Sequence, residues 1–122
     1  MRPTQQPKKK LKTLTRKKDF RDLIKQGQRL KPTAWMLVNY DRNGLGYLRL
    51  GFTASRKVGT AVVRNRLRRW CKEFFRKQEE EISLDLNLLF LDSKKQNFYK
   101  DLKHEQLEEV LSHVYSKVCR RN

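Results

Sequence analysis

Residues 60–78, TAVVRNRLRRWCKEFFRKQ, constrain the fold more than any other stretch of the chain. Val63, Leu67, Trp70 and Phe74 recur at i, i+4, i+7 and i+11, which on a helix confines them to a sector about 60° wide. Cys71 and Phe75 extend that stripe along one side. Such a helix must lay one face on another element. Thr60 stands at its start as a cap, after Gly59, and the periodicity runs to about Gln78.

The other side of this helix is cationic. Arg64, Arg68, Lys72 and Arg76 are spaced by four, a row about 18 Å long. Asn65 and Arg69 lie beside the row, and Arg66 departs toward the other edge. From Arg64 to Lys77 there are seven basic residues and one acid, Glu73. A solvated helix face ordinarily mixes signs at i, i+4 to gain stability. A face of one sign suits a polyanion, and the planar guanidinium grips phosphate through paired hydrogen bonds. Arg56 and Lys57 precede Gly59, so the cationic surface begins ahead of the helix. The second glycine and the Lys-Ser/Thr of a nucleotide-binding P-loop are missing.

The remaining segments predict what this helix packs on. TRKKDFRDLIKQG (15–27) reads as a short helix capped by Thr15 and ended by Gly27 in a left-handed turn. Phe20, Leu23 and Ile24 mark its apolar face. Residues 33–55 read as a hairpin, with Trp35, Leu37 and Asn39 on one face and Met36, Val38 and Tyr40 on the other. DRNG supplies its turn, and Leu48, Leu50 and Phe52 share a face of the return strand. A brief extended piece is expected at Arg56–Val58. LDLNLLFLD (84–92) reads as a further strand with one or both faces buried. Leu102, Leu107, Val110, Leu111, Val114 and Val118 mark a last amphipathic helix. The order α, β, β, short β, α, β, α predicts an α+β fold, a mixed sheet with helices packed on one side.

The chain has 122 residues and a formal net charge of +17. Residues 1–77 hold 23 Lys/Arg against 4 Asp/Glu, whereas residues 78–122 hold 7 against 9. The positive field therefore belongs to the first two-thirds, and a polyanionic partner is its natural counterpart. Residues 1–12, with two prolines and a lysine cluster, read as a mobile basic arm before a single domain over 13–122. Cys71 and Cys119 are too few for a disulfide framework, and Cys71 falls among apolar helix positions. No apolar run approaches a membrane span and no signal-peptide pattern opens the chain, so a cytoplasmic setting is expected. His104 and His113 lack the i, i+4 spacing of helix-borne ligands, and a metal-dependent protein nuclease would need clustered carboxylates. Glu79, Glu80 and Glu81 read as a solvated acidic turn, and Asp19 and Asp22 as partners of Arg or Lys. The polypeptide shows no catalytic apparatus of its own.

GFTASRKVGTAVVRNRLRRWCKEFFR (51–76) closely resembles the signature of bacterial ribonuclease P protein subunits: a strand, Ser-Lys-Lys-Val-Gly-Asn-Ala-Val, then Arg-Asn-Arg and an Arg-rich helix. DFRDLIKQG (19–27) resembles the family's first helix, and the likeness covers about residues 11–118. It implies an αβββαβα ribonuclease P protein fold, similar to that of some ribosomal proteins, two-layered, with a left-handed crossover around the Arg-rich helix. It implies that the catalyst is the RNA subunit, using Mg²⁺ bound mainly by that RNA and the substrate. The protein would bind ribonuclease P RNA and the leader of precursor tRNA and aid magnesium binding; no protein partner is implied. By position, Arg64, Asn65, Arg66, Arg68 and Arg69 match the helix that meets the RNA, with Lys72 continuing its row. Ser55, Arg56 and Lys57 match the basic segment before it. Phe20 matches an aromatic of the leader cleft between the sheet and the first helix, where a base can stack.

Thr60 stands where the family usually has Asn, and Arg56 where Lys is common. Ile24 and Val38 occupy positions that are often aromatic in the cleft, so apolar contact and charge would do more of the work here. Two other readings remain in view. One is an RNA-binding or ribosome-associated module without a part in cleavage. The other is a DNA-binding protein, disfavoured because the Arg-rich helix commits one side to packing and offers mostly phosphate-type contacts on the rest.

Overall fold

The computed structural model describes residues 11–78 and 82–121. Residues 1–10 of the expected arm and the expected acidic turn at Glu79–Glu81 lie outside the described residues. The elements are β1 (Lys12–Thr13), α1 (Lys17–Gln26), β2 (Gln28–Thr33), β3 (Met36–Arg42), β4 (Arg49–Ala54), α2 (Ala61–Arg76), β5 (Leu84–Phe90), α3 (Phe98–Asp101) and α4 (His104–Arg121). A short 3-10 turn, Arg56–Val58, precedes α2.

The five strands form one sheet in the order β1-β4-β5-β3-β2. β5 lies at its centre, antiparallel to β3 and parallel to β4. Its alternation suits that place: Leu84, Leu86, Leu88 and Phe90 point to one face and Asp85, Asn87 and Leu89 to the other. Pairing carries the first face across the sheet as Val38–Leu88–Phe52 and Tyr40–Leu86–Leu50. This is the main core, closed by Val63, Leu67, Cys71, Phe74 and Phe75 of α2 and Leu107, Leu111, Val114 and Val118 of α4. Phe74 and Phe75 both meet Tyr115 edge-on where the two helices cross. Cys71 is fully buried, and burial pushes its thiol pKa far up, so it packs as a small apolar side chain.

α1 crosses part of the opposite face. A Cβ added at Gly51 would come within 2.8 Å of Phe20 Cε1 and 3.0 Å of Asn87 Oδ1, so the missing side chain is what lets α1 approach the sheet. Leu14 and Leu23 are buried in this smaller contact.

Several sequence expectations change. β3 and β4 do not pair as a hairpin, because β5 enters between them; the true hairpin is β2–β3. The loop from β3 to β4 must therefore step across a strand. Gly44 and Gly46 adopt positive φ there, and Asn43 Nδ2 donates to the Tyr47 carbonyl and to Asp85. Three strands do separate α1 from α2, but the additional one is β2, and Arg56–Val58 is a 3-10 turn. Thr15 does not cap α1: its N-cap is Arg16, with no side-chain bond. Gly27 is extended rather than left-handed, and it is glycine because a Cβ would sit 2.5 Å from the Leu23 carbonyl oxygen and 2.8 Å from that of Tyr40. Lys12 already belongs to a strand, paired in parallel with Arg49. Leu102 follows α3 and precedes α4 rather than opening the last helix.

Trp35 sits at the β2–β3 turn and packs on Phe90, Phe98 and Tyr99, away from α1. The single proton of the Tyr99 hydroxyl is shared between the carbonyls of Trp35 and Leu91. Burial, aided by Asp92, pushes its pKa up to about 12, so it stays a neutral donor.

Candidate nucleic-acid interface

The entry to α2 is held by local hydrogen bonds. Ser55 Oγ accepts from the Lys57 amide and donates to Asp92, whose other oxygen lies 3.9 Å from Lys57 Nζ. Gly59 has φ 157°, with Val63 directly beneath it. Thr60 Oγ1 then accepts from the Val63 amide and caps the helix as expected. Arg64 Nε donates back to the Gly59 carbonyl, which anchors the half-buried guanidinium at the helix entry.

The cationic row follows. Arg68 donates to Asn65 Oδ1 at 3.1 Å and lays its guanidinium over the Phe52 ring, 5.1 Å from the centroid. Phe52 thus shelves an arginine in place; only the sheet register, not spacing on the helix, could have named it. Arg68 and Lys72, with Thr13 and Phe52, border a cavity of about 320 Å³ between α2 and the β1 edge. Arg69 and Arg76 are exposed. Among the described residues no carboxylate pairs with Arg56, Arg64, Arg68, Arg69, Lys72 or Arg76. Acids elsewhere do pair: Asp22 with Lys18, and Asp19 and Asp85 with Arg49.

Arg66 is separate from this row. Its Nη2 donates to the carbonyls of Tyr99 and Lys100, each at 2.9 Å, and its guanidinium stacks on Trp70. The hydrogen bonds tie α2 to α3 and leave Arg66 half-buried.

The sheet face under α1 makes the second part of the site. Phe20 is half-buried against Gly51, and Ile24 is 47% exposed beside it. Asn39 and Asn87 pair in register across β3 and β5, each almost fully buried, and Thr53 Oγ1 donates to Asn87 Oδ1. Asn39 Nδ2 has no partner. Leu37 and Leu89, half-buried, are the next rung. At the other end Arg49 makes paired hydrogen bonds to Asp85 at 2.8 and 2.6 Å, which hold its pKa above the ordinary arginine value despite partial burial.

Val38 does not belong to this groove. It is fully buried in the α2/α4 core, opposite Leu88. A strand turns successive side chains to opposite faces, so Leu37 and Asn39 take the place expected for Val38. The structure thus brings Phe20 and Ile24 together with Leu37, Asn39, Asn87 and Thr53. The last four carried no distinguishing signal in the sequence, since the alternation left both faces of the strand open.

Among the described residues no group of three or more His, Cys, Asp or Glu could hold a metal ion. His104 packs edge-on against Trp70 and His113 is exposed on α4. No helix among the described residues is long and apolar enough to cross a membrane.

The family model described as Ribonuclease P matches residues 8–119. The ribonuclease P protein component of Desulforamulus reducens is 35% identical over 113 residues, covering 90% of this chain and 94% of the relative. That of Thermotoga petrophila is 37% identical over 79 residues, covering 65% of this chain and 67% of the relative. Among solved structures, the RNase P protein of Staphylococcus aureus superposes with a TM-score of 0.75 at 25% identity, over 89% of this chain and 96% of that one. The RNase P protein from Thermotoga maritima gives 0.70 at 26% identity, over 84% and 94%.

Proposed function

This chain belongs to the ribonuclease P protein family, and from that premise we infer that it is the protein component of ribonuclease P, working with an RNA subunit in the 5′ maturation of tRNA. The RNA makes the cut and the protein positions it. Arg56, Lys57, Arg64, Asn65, Arg68, Arg69 and Lys72 contact the RNA subunit. Phe20 and Ile24, over the Leu37–Asn39–Asn87–Thr53 floor, receive the single-stranded leader of precursor tRNA.

The observation that carries this reading is the cationic face of α2, which among the described residues has no carboxylate partner. It stands beside a groove that mixes half-buried apolar side chains with amides. Such a face costs stability in the free protein through like-charge repulsion and recovers it on a phosphate backbone. The exposed part of that groove suits an unpaired strand, whose bases stack on an aromatic ring. Mg²⁺ bound by the RNA and its substrate would supply neutralisation of phosphate charge. The protein's part is to hold the RNA and substrate strands in place through its cationic face.

Reconstitution tests the reading. The protein is mixed with a bacterial ribonuclease P RNA, and precursor tRNA cleavage is followed across a magnesium titration. The expected result is faster cleavage at low Mg²⁺ than with RNA alone. No gain at any magnesium concentration would sink it, and binding without a gain would favour a plain RNA-binding module.

A further inference from the structure

Arg66 shapes a surface that the Arg-Asn-Arg motif does not mark. By holding the Tyr99 and Lys100 carbonyls, it fixes the segment 93–100, SKKQNFYK, against the first turn of α2. Between the two lies an open cavity of about 610 Å³. Lys57, Arg66, Lys95 and Lys100 line it together with Val62 and Asn97, and no Asp or Glu does. Val62 is 77% exposed at its edge, the most exposed large apolar side chain among the described residues. None of Lys94, Lys95 and Lys100 is paired with a carboxylate among the described residues.

We propose that this cavity is a second docking site for the RNA subunit, taking a phosphate turn on Lys95 and Lys100 and one unstacked nucleotide against Val62. The proposal rests on the ribonuclease P reading above. On the helix wheel Val62 and Arg66 lie on the flank opposite Arg64 and Arg68. The RNA would thus clasp α2 from both sides rather than touch a single row. The charged residues of the lining are all cationic, which calls for an anion, and the exposed valine distinguishes RNA from free phosphate: a base has an apolar face to cover it and inorganic phosphate does not. Arg66 acts here as a positioning residue, because its hydrogen bonds hold the lysine-bearing wall in place.

The test is a salt titration of binding to a bacterial ribonuclease P RNA. It compares the full chain, a Lys95→Ala/Lys100→Ala variant and a charge-matched Lys31→Ala/Lys103→Ala control. The site predicts roughly tenfold weaker binding of the first variant than of the control near physiological salt, and a log K against log salt slope shallower by about two, about one per lost phosphate contact. A photo-crosslinker at Gln96, on the cavity wall, should capture the RNA, whereas one at Ser112 on α4 should not. Equal affinity and slope for the two double variants, with no crosslink at Gln96, overturns the site. If the unsubstituted chain stimulates cleavage while that happens, only the site falls; if it neither binds nor stimulates, the ribonuclease P reading falls too.

Discussion

The two faces of the sheet are made by alternate residues of the same three strands, and they differ rung by rung. Toward α2 and α4 the rungs are Met36–Phe90, Val38–Leu88–Phe52 and Tyr40–Leu86–Leu50, apolar and buried apart from the half-covered Phe52. Toward α1 they are Leu37–Leu89–Thr53, Asn39–Asn87–Gly51 and Asp41–Asp85–Arg49, which pass from apolar through amide to ionic. Two helices cover the first face and one short helix partly covers the second. The first face carries the stability, since a fully buried Leu or Phe contributes about 1.5–3 kcal/mol. The second leaves half-buried groups free to meet a ligand. A strand's period of two lets one segment serve both ends.

Substitutions on the two faces should separate these roles. The largest effect is expected from Leu88→Ala in the apolar face: a loss of about 2–5 kcal/mol of stability by denaturant unfolding. Leader-dependent affinity of whatever remains folded should be unchanged. Asp85→Ala, which leaves Arg49 only its longer contact with Asp19 at 3.5 Å and removes an acceptor from Asn43, should cost about 2 kcal/mol, because the pair it breaks is only partly exposed and bidentate. Phe20→Ala should reverse the pattern. Affinity for precursor tRNA with a leader should fall by about 1–3 kcal/mol relative to mature tRNA, if a leader base stacks on the ring. An equal loss for both substrates would mean that Phe20 only packs α1. The smallest effect is expected for Asn39→Leu. Its Nδ2 has no partner, so replacing the amide by a shape of similar size should move stability by less than about 1 kcal/mol. A loss well above that would reveal an unrecognised role for the amide in the fold.

Local features were legible in the sequence. The α2 stripe, the Thr60 cap, the burial of Cys71 and the amphipathic α4 follow from side chains within a few turns of one another. The pairing of Asp22 with Lys18 at i, i+4 is of the same kind. What failed depended on distant chain. β2 was missed because QRLKPT, with two cations and a proline, becomes a strand only by lying beside β3 at the sheet edge. The β3–β4 hairpin was misread because its turn residues were suitable but β5, about forty residues later, takes the place between the strands. Val38 is placed in the groove by the family resemblance, and alternation could not correct it, because alternation defines two faces without saying which meets α1. Spacing sets Arg66 apart from the row while the resemblance groups it with the RNA-binding arginines, and the carbonyls that claim it lie 33 and 34 residues away.

The sequence by itself determined that a one-sided helix must pack on a sheet and present arginines outward, because periodicity sets which side chains share a face. It also carried the family signature that names the RNA partner. Only the tertiary structure decided which face of the sheet is core and which is groove, which arginines remain free, and that a lysine-bearing wall stands against the far flank of α2. Each of those outcomes is fixed by strand order and by hydrogen bonds between segments far apart in the chain, and no local pattern encodes which segments will meet.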